Sequence, residues 1–317
     1  MISGLLLIDK PPGVTSFDVV RRVRRALKVR KIGHLGTLDP FATGLLPLAL
    51  GEATKLAQFL LEESKTYLAT LKLGVETDTQ DLTGRITAES ESLPSPEEVC
   101  RAAARFIGEI DQVPPIYSAV HHQGERLYKL ARRGEEVEAP PRQVVIHRLE
   151  VQELALPQVT IRVECGKGTY IRTLAHDLGR ALGCGAHLVA LSRLAVGPFR
   201  LEEALPLEVI EKAEGLEDIH RRLIPLAHCL PRYQAVRVDR QEAQRLTQGQ
   251  PLPWPGPSPA AGEKVQVVAE GSLVAVAAVR GQGESQVLAP VRVFHNRLFP
   301  LLRKENTVFQ GREGPGT

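Results

Sequence analysis

The 317-residue chain contains one methionine, one tryptophan and four cysteines, and aromatic residues make up only 4% of it. Cys100, Cys165, Cys184 and Cys229 stand far apart, with no CxxC pair and no histidine at ligand spacing. That spacing excludes a disulfide framework or a zinc site and leaves buried thiols. Long apolar runs are missing as well: Leu5-Leu6-Leu7-Ile8 is cut off by Asp9-Lys10-Pro11-Pro12. Neither a membrane span nor a signal peptide is expected, and the protein is expected in the cytoplasm. Nucleotide and cofactor signatures are also lacking. No G-x-G-x-x-G follows the first strand, and neither H-E-x-x-H nor G-x-S-x-G occurs. Gly166-Lys167-Gly168-Thr169 has the end of a phosphate-binding loop without the rest, and Asp78–Gly84 misses the spacing of a calcium loop. No cofactor and no metal are expected.

What remains is ordinary for a soluble globular chain, 43% hydrophobic and 24% charged, and long enough for two cores. One methionine against 23 prolines fits a heat-adapted source. The net charge of +3 is small, but it is unevenly placed. Residues 21–31 carry seven basic and no acidic side chains. Seen alone, such a run is a solvated helix face; the sharper reading is a surface that touches phosphates.

Residues 4–8 read as a buried strand stopped by Pro11-Pro12-Gly13. Thr15 with Asp18 forms a capping box for a helix near residues 16–28, with Phe17, Val20, Val23 and Leu27 turned inward. Tyr67–Val75 and Val159–Cys165 alternate as strands. Ser95-Pro96-Glu97-Glu98 opens another capped helix, closed by Gly108, and Ile171, Leu174, Leu178 and Leu182 follow at helical spacing up to Gly183. Strands and helices mix without a βαβ repeat, so the fold class is α+β with a mixed, mostly antiparallel sheet flanked by helices. After about Pro231 come short strands, Lys264–Glu270, Ser272–Arg280 and Val287–Phe294, with a Pro-rich loop at 251–259 and a tight turn at Gly271. The expected domains are residues 1–231, a small β-rich domain at 232–305, and a frayed tail at 306–317.

The densest stretch of special residues is Gly33-His34-Leu35-Gly36-Thr37-Leu38-Asp39-Pro40-Phe41-Ala42-Thr43-Gly44. Its glycines and proline mark a constrained loop of the kind that presents side chains to a cleft. Without further knowledge, Asp39 before Pro40 is a turn or cap residue and His34 a satisfied polar one. Read alone, Arg172 is an exposed helix arginine and Tyr67 a core aromatic on a strand.

Several blocks in this order resemble the bacterial tRNA pseudouridine-55 synthases of the TruB family. They are Gly4–Ser16, Gly33–Gly44, Leu73–Gly84, Gln112–Ala119, Leu127–Gly134 and Cys165–Gly179, within a resemblance reaching to about residue 199. The resemblance implies the pseudouridine synthase fold with a C-terminal PUA-like RNA-binding domain. It implies cleavage of the N1–C1′ bond of a flipped-out uridine in the T-loop of tRNA and rejoining through C5, without cofactor. Asp39 takes the place of the catalytic carboxylate, which can attack or stabilise C1′ or remove a sugar proton. Arg172 takes that of its paired arginine, and Tyr67 that of the tyrosine against the target base. His34 matches the histidine near the displaced base, and Leu191 the pocket's apolar wall. Gly36, Thr37 and Leu38 are expected on the substrate side, with Tyr170 and Lys167 lining or supporting the pocket. Lys10, Arg21, Arg24 and Lys31 are expected along the RNA backbone. After Tyr117-Ser118-Ala119-Val120, where the family usually has lysine, this chain has His121-His122. The implied partner is the tRNA T-arm and T-loop, met by a monomer with no obligatory protein partner. A tRNA-folding role can accompany catalysis. The rival readings are a non-catalytic tRNA-binding protein, the related catalytic subunit of guide-RNA-directed pseudouridylation, and an N-glycoside hydrolase.

Overall fold

Gly4–Lys10 is apolar at most positions and buried almost throughout, as befits an interior strand packed on both faces. The computed structural model describes residues 2–117, 121–122, 125–126, 133, 139–213, 216–254, 262–281 and 285–295. The chain divides into two compact units between Pro225 and Leu226, a few residues before the composition shift. In the first unit a ten-stranded sheet runs Leu205–Pro206, Gly4–Lys10, Thr43–Leu50, Ala186–Val196, Lys65–Leu73, Gln158–Cys165, Arg142–Ala155, Gly108–Gln112. Ile32–His34 pairs with Thr43–Leu50, and Phe199–Arg200 with Ala186–Val196. Two of these pairings are parallel, Gly4–Lys10 with Leu205–Pro206 and Ala186–Val196 with Thr43–Leu50; the others are antiparallel. This is the mixed, mostly antiparallel α+β architecture expected of the sequence. Lys65–Leu73 and Gln158–Cys165 bury every second residue, as their alternation predicts.

Helices Ser16–Leu27, Pro96–Ala104 and Ile171–Ala181 pack on the sheet, adding Val19, Val23, Val99, Leu174 and Leu178 to the core that holds Leu46 and Tyr67. Both predicted capping boxes are present, at Thr15 with Asp18 and at Ser95 with Glu98. Phe17 is not on the inner side: it is 63% exposed, because the buried stripe is Val19, Val20, Val23 and Leu27. At 100° per residue Phe17 shares its arc with Arg21 and Arg24, so the aromatic stands with the basic face. The helix opened by Ser95 ends at Ala104; Gly108, with φ +109°, instead begins the next strand. Thr15→Ala removes the oxygen that accepts from the Asp18 amide at 3.0 Å. It should cost about 1 kcal/mol, measured as a lower urea midpoint at unchanged m-value.

In the second unit a five-stranded sheet runs Ala235–Arg237, Lys264–Ala269, Ser272–Arg280, Val287–Val293, Leu252–Pro253. Glu270 and Gly271 both have positive φ, the signature of the two-residue hairpin turn that twists with its strands. A helix, Arg240–Thr247, starts from an Asp239/Glu242 capping box and buries Ala243 and Leu246. The tail at 306–317 and most of Leu127–Gly134 lie outside the described residues. Among the described residues, no helix is long and apolar enough to cross a membrane.

Candidate active site

The loop between Ile32–His34 and Thr43–Leu50 is held by its backbone, through side chains that reach it from three directions. Ser16, at the start of its helix, accepts from the Leu38 amide at 2.9 Å and donates to the Leu38 carbonyl at 3.2 Å. The Lys10 ammonium donates to the carbonyls of Pro11 (3.0 Å), Pro40 (3.2 Å) and Ala42 (2.6 Å). Arg193, on Ala186–Val196, donates from Nε to the Leu45 carbonyl at 2.7 Å and from Nη2 to that of Gly36 at 3.1 Å. Within this frame the Ala42 amide closes a turn onto the Asp39 carbonyl at 3.1 Å, with Pro40 at the position where its fixed φ is favoured. Asp39 is therefore a turn residue as well, and the turn is what aims its carboxylate.

Arg172 meets that carboxylate in a two-pronged bond, Nε to Oδ2 at 2.9 Å and Nη2 to Oδ1 at 3.2 Å. The same guanidinium donates to the carbonyls of Thr79 (3.1 Å) and Tyr117 (3.0 Å), and its Nη1 lies 3.7 Å from Asp81. Arg172 is 5% exposed, against 31% for the Asp39 side chain. The cation is thus sealed and fixed while the anion is open to a ligand, an arrangement that keeps a carboxylate directed without covering it. The start of the helix bearing Arg172 is pinned by buried Gln112, which accepts from the Tyr170 amide at 3.0 Å and donates to its carbonyl at 3.3 Å. Asp81 is held in turn by the hydroxyls of Thr79 and Thr83 and by the Thr83 amide.

Tyr67 is buried on Lys65–Leu73, directly opposite Arg193 on the neighbouring strand. Burial raises its pKa, against the opposing pull of the Arg193 charge, so it is a neutral phenol at physiological pH. Arg193 also binds the carbonyls of Gly36 and Leu45, on either side of Asp39, and so ties this part of the sheet to the Asp39 loop. His34 is half-buried; burial, then the Arg193 charge, lowers its pKa and keeps it neutral. Its buried Nδ1 has no hydrogen-bond partner among the described residues.

The structure thus pairs Asp39 with Arg172, sets Tyr67 opposite Arg193, which braces the Asp39 loop, and places His34 at the start of that loop. Other expected residues fall elsewhere. Lys10 is 0% exposed and spends its donors on loop carbonyls, so it is a brace and does not lie along an RNA backbone. Leu38 is packed in the core, held by Ser16 through its backbone, and presents no side chain to a substrate. Leu191 is buried on the Tyr67 side of the sheet, Thr37 is exposed, and Gly36 takes φ +99° in the loop. Lys167 is exposed and paired with Glu62, and Arg21 is paired with Asp18. Arg24 and Lys31 are exposed, with no carboxylate partner among the described residues. The side chains of His121 and His122 lie outside the described residues.

Sequence reading missed Asp81, Gln112 and Arg193. A signal existed for two of them. Thr79-x-Asp81-x-Thr83 flanks a carboxylate with hydroxyls, and Arg193 interrupts an apolar strand at a position sharing its face with Leu191. Gln112 stood out only as the first residue of the Gln112–Ala119 block.

Burial pushes the Lys10 ammonium down to about 8, with the Asp39 charge opposing. A lysine that holds its proton more weakly when folded costs stability below its folded pKa, and the cost fades as pH rises to its unfolded value of 10.5. Lys65, also pushed down to about 8, adds to this. Lys10→Met should flatten the rise in unfolding free energy between pH 8 and 10 in urea titrations. An unchanged slope would contradict the assignment.

Residues 24–171 match the family model for the N-terminal domain of TruB family pseudouridylate synthase, and residues 172–230 that for the tRNA pseudouridylate synthase B C-terminal domain. The tRNA pseudouridine synthase B of Syntrophus aciditrophicus (strain SB) is 46% identical over 312 residues, 93% of this chain and 100% of the relative. That of Burkholderia pseudomallei (strain 668) is 46% identical over 298 residues, 92% of this chain and 97% of the relative. A solved chain from a Cbf5-Nop10-Gar1 complex aligns with TM-score 0.74 at 28% identity, covering 94% of this chain and 87% of that one. One from an H/ACA RNP bound to a substrate RNA containing 2'-deoxyuridine aligns with TM-score 0.73 at 26% identity, with the same coverage. With relatives 46% identical aligned over nine tenths of its length and both TruB domain models matched, the chain belongs to the TruB family of pseudouridylate synthases.

Proposed function

We propose that the protein converts uridine 55 in the T-loop of tRNA to pseudouridine, with Asp39 as the carboxylate that meets the sugar. Family membership makes it an isomerase, a pseudouridine synthase, and the relatives' names point to tRNA as its substrate. The observation that carries the site assignment is the bond between Asp39 and Arg172, 133 residues apart in sequence, in which the arginine is buried and the carboxylate accessible. The target base must leave its stack to reach Asp39. His34, neutral and with an unsatisfied ring nitrogen at the loop's start, is suited to occupy space near the displaced base. We read Tyr67, a buried neutral phenol, as the side chain that lies against the uracil. Bond breaking and making are internal to one nucleotide, so the reaction consumes no cofactor. We assign phosphate contacts that bind without reading sequence to Arg24 and Lys31, which are exposed cations. We assign RNA gripping also to the β-rich second unit, as a PUA-like module, and regard the enzyme as a cytoplasmic monomer with a secondary role in tRNA folding.

The test is tritium release from tRNA labelled at C5 of uridine, beside a transcript carrying cytidine at position 55. Release from the first alone is expected. Binding without release would replace catalysis by a folding or binding role, and free uracil would replace it by glycoside hydrolysis.

A further inference from the structure

Arg193 carries a buried charge that the proposed mechanism does not use. It is 1% exposed and among the largest fully buried side chains. Among the described residues no carboxylate lies within ion-pairing distance of it. An unpaired buried cation is costly unless fixed dipoles replace its water. Here the dipoles are the carbonyls of Leu45 and Gly36, and these two residues stand at either end of the turn that presents Asp39. Gly36 and Gly44 leave room for this: a Cβ on Gly36 would come to 3.4 Å of Arg193 Nη1, and one on Gly44 to 2.5 Å of the Arg193 carbonyl. Tyr67 is the cross-strand neighbour of Arg193, and the arginine's charge acts on its phenol. One rigid fork therefore binds the loop on both sides of Asp39 from the strand position directly opposite the second proposed catalytic side chain.

We propose that Arg193 is a positioning residue that fixes the Asp39 turn and the Tyr67 hydroxyl in one geometry for the reaction. The inference rests on the functional reading above. A planar fork can bond two carbonyls and face a phenol at once; a lysine, as a point charge, cannot hold all three. A group displaced by about 1 Å loses on the order of a hundredfold in rate.

The experiment uses the full chain as wild type, Arg193→Lys, Arg193→Met, Tyr67→Phe and the Tyr67→Phe/Arg193→Met double variant. It follows single-turnover tritium release, tRNA binding and thermal unfolding. Arg193→Met is expected to slow release about 100-fold with tRNA affinity within about threefold, and Arg193→Lys to recover part of that loss. The double variant should be slower than Tyr67→Phe by much less than 100-fold, because part of the arginine's effect passes through the phenol. Should Arg193→Met fail to fold, the folded Lys variant carries the test through its rate at unchanged affinity. Wild-type rates in either folded variant, or fully additive losses, would overturn the proposal. Absence of release by wild type would instead overturn the functional reading and this inference with it.

Discussion

Asp39→Asn should lower tritium release by about 10⁴-fold or more while leaving tRNA affinity within about threefold, since loss of a central catalytic group costs this order even when binding survives. Asparagine keeps the size of the side chain and one oxygen for the Arg172 fork, so the turn closed by Ala42 onto the Asp39 carbonyl should persist. What disappears is the negative charge and the lone pairs that meet C1′ or its proton. Among the described residues the fork then has only Asp81, at 3.7 Å, as a charged partner, and the loss of a charged hydrogen bond should lower stability by about 1–3 kcal/mol. Release kinetics, filter binding and a urea melt on the same preparation separate the effects. A rate within tenfold of wild type would remove Asp39 from the chemistry. Loss of binding in parallel with rate would make it a substrate contact only.

Some of this site was legible in the sequence and some was not, and the division has a physical cause. The loop around Asp39 could be found because it needs residues with unusual backbone freedom, and glycines and prolines show in a sequence wherever they are used, whereas the choice of Asp39 within it came only from the family resemblance. The sheet could be read where only one side of a strand faces the core, as in Lys65–Leu73, because alternation then appears directly in the residues. Gly4–Lys10 was recognisable for the opposite reason, being apolar almost throughout. Phe17 misled because large apolar residues are read as core, yet it follows Ser16, whose hydroxyl must turn inward to hold Leu38, and this leaves Phe17 outside.

Lys10 and Arg193 misled or escaped for a related reason. A cation in an RNA-modifying enzyme invites a phosphate contact, and nothing local tells a lysine that bonds phosphate from one that bonds carbonyls. Only the fold shows that the Lys10 ammonium ends among the carbonyls of Pro11, Pro40 and Ala42. The resulting site is organised from behind: Lys10, Ser16 and Arg193 hold the loop by its backbone, which leaves the Asp39 side chain free of every partner but Arg172 among the described hydrogen bonds. Such support suits electrostatic catalysis, in which groups must be oriented before the charge develops.

Arg172→Met follows from the same arrangement and should produce the second largest loss, about 10³-fold in release rate with tRNA affinity nearly unchanged. The substitution keeps apolar volume beneath the sheet but deletes the fork from Asp39 and strands the carbonyls of Thr79 and Tyr117. Removing one partner of a buried, hydrogen-bonded pair costs roughly 3–5 kcal/mol when both are sealed. With the Asp39 side chain 31% exposed, water can solvate the orphaned carboxylate and the stability loss should fall below that range. The rate cannot recover in this way, because water supplies charge compensation without direction and Asp39 would sample rotamers pointing away from the nucleotide. Arg172→Lys separates the two contributions: it restores a charge without the fork, so it should recover most of the stability and little of the rate. Equal recovery of both would mean that charge alone is required and that the two-pronged geometry between residues 172 and 39 is incidental.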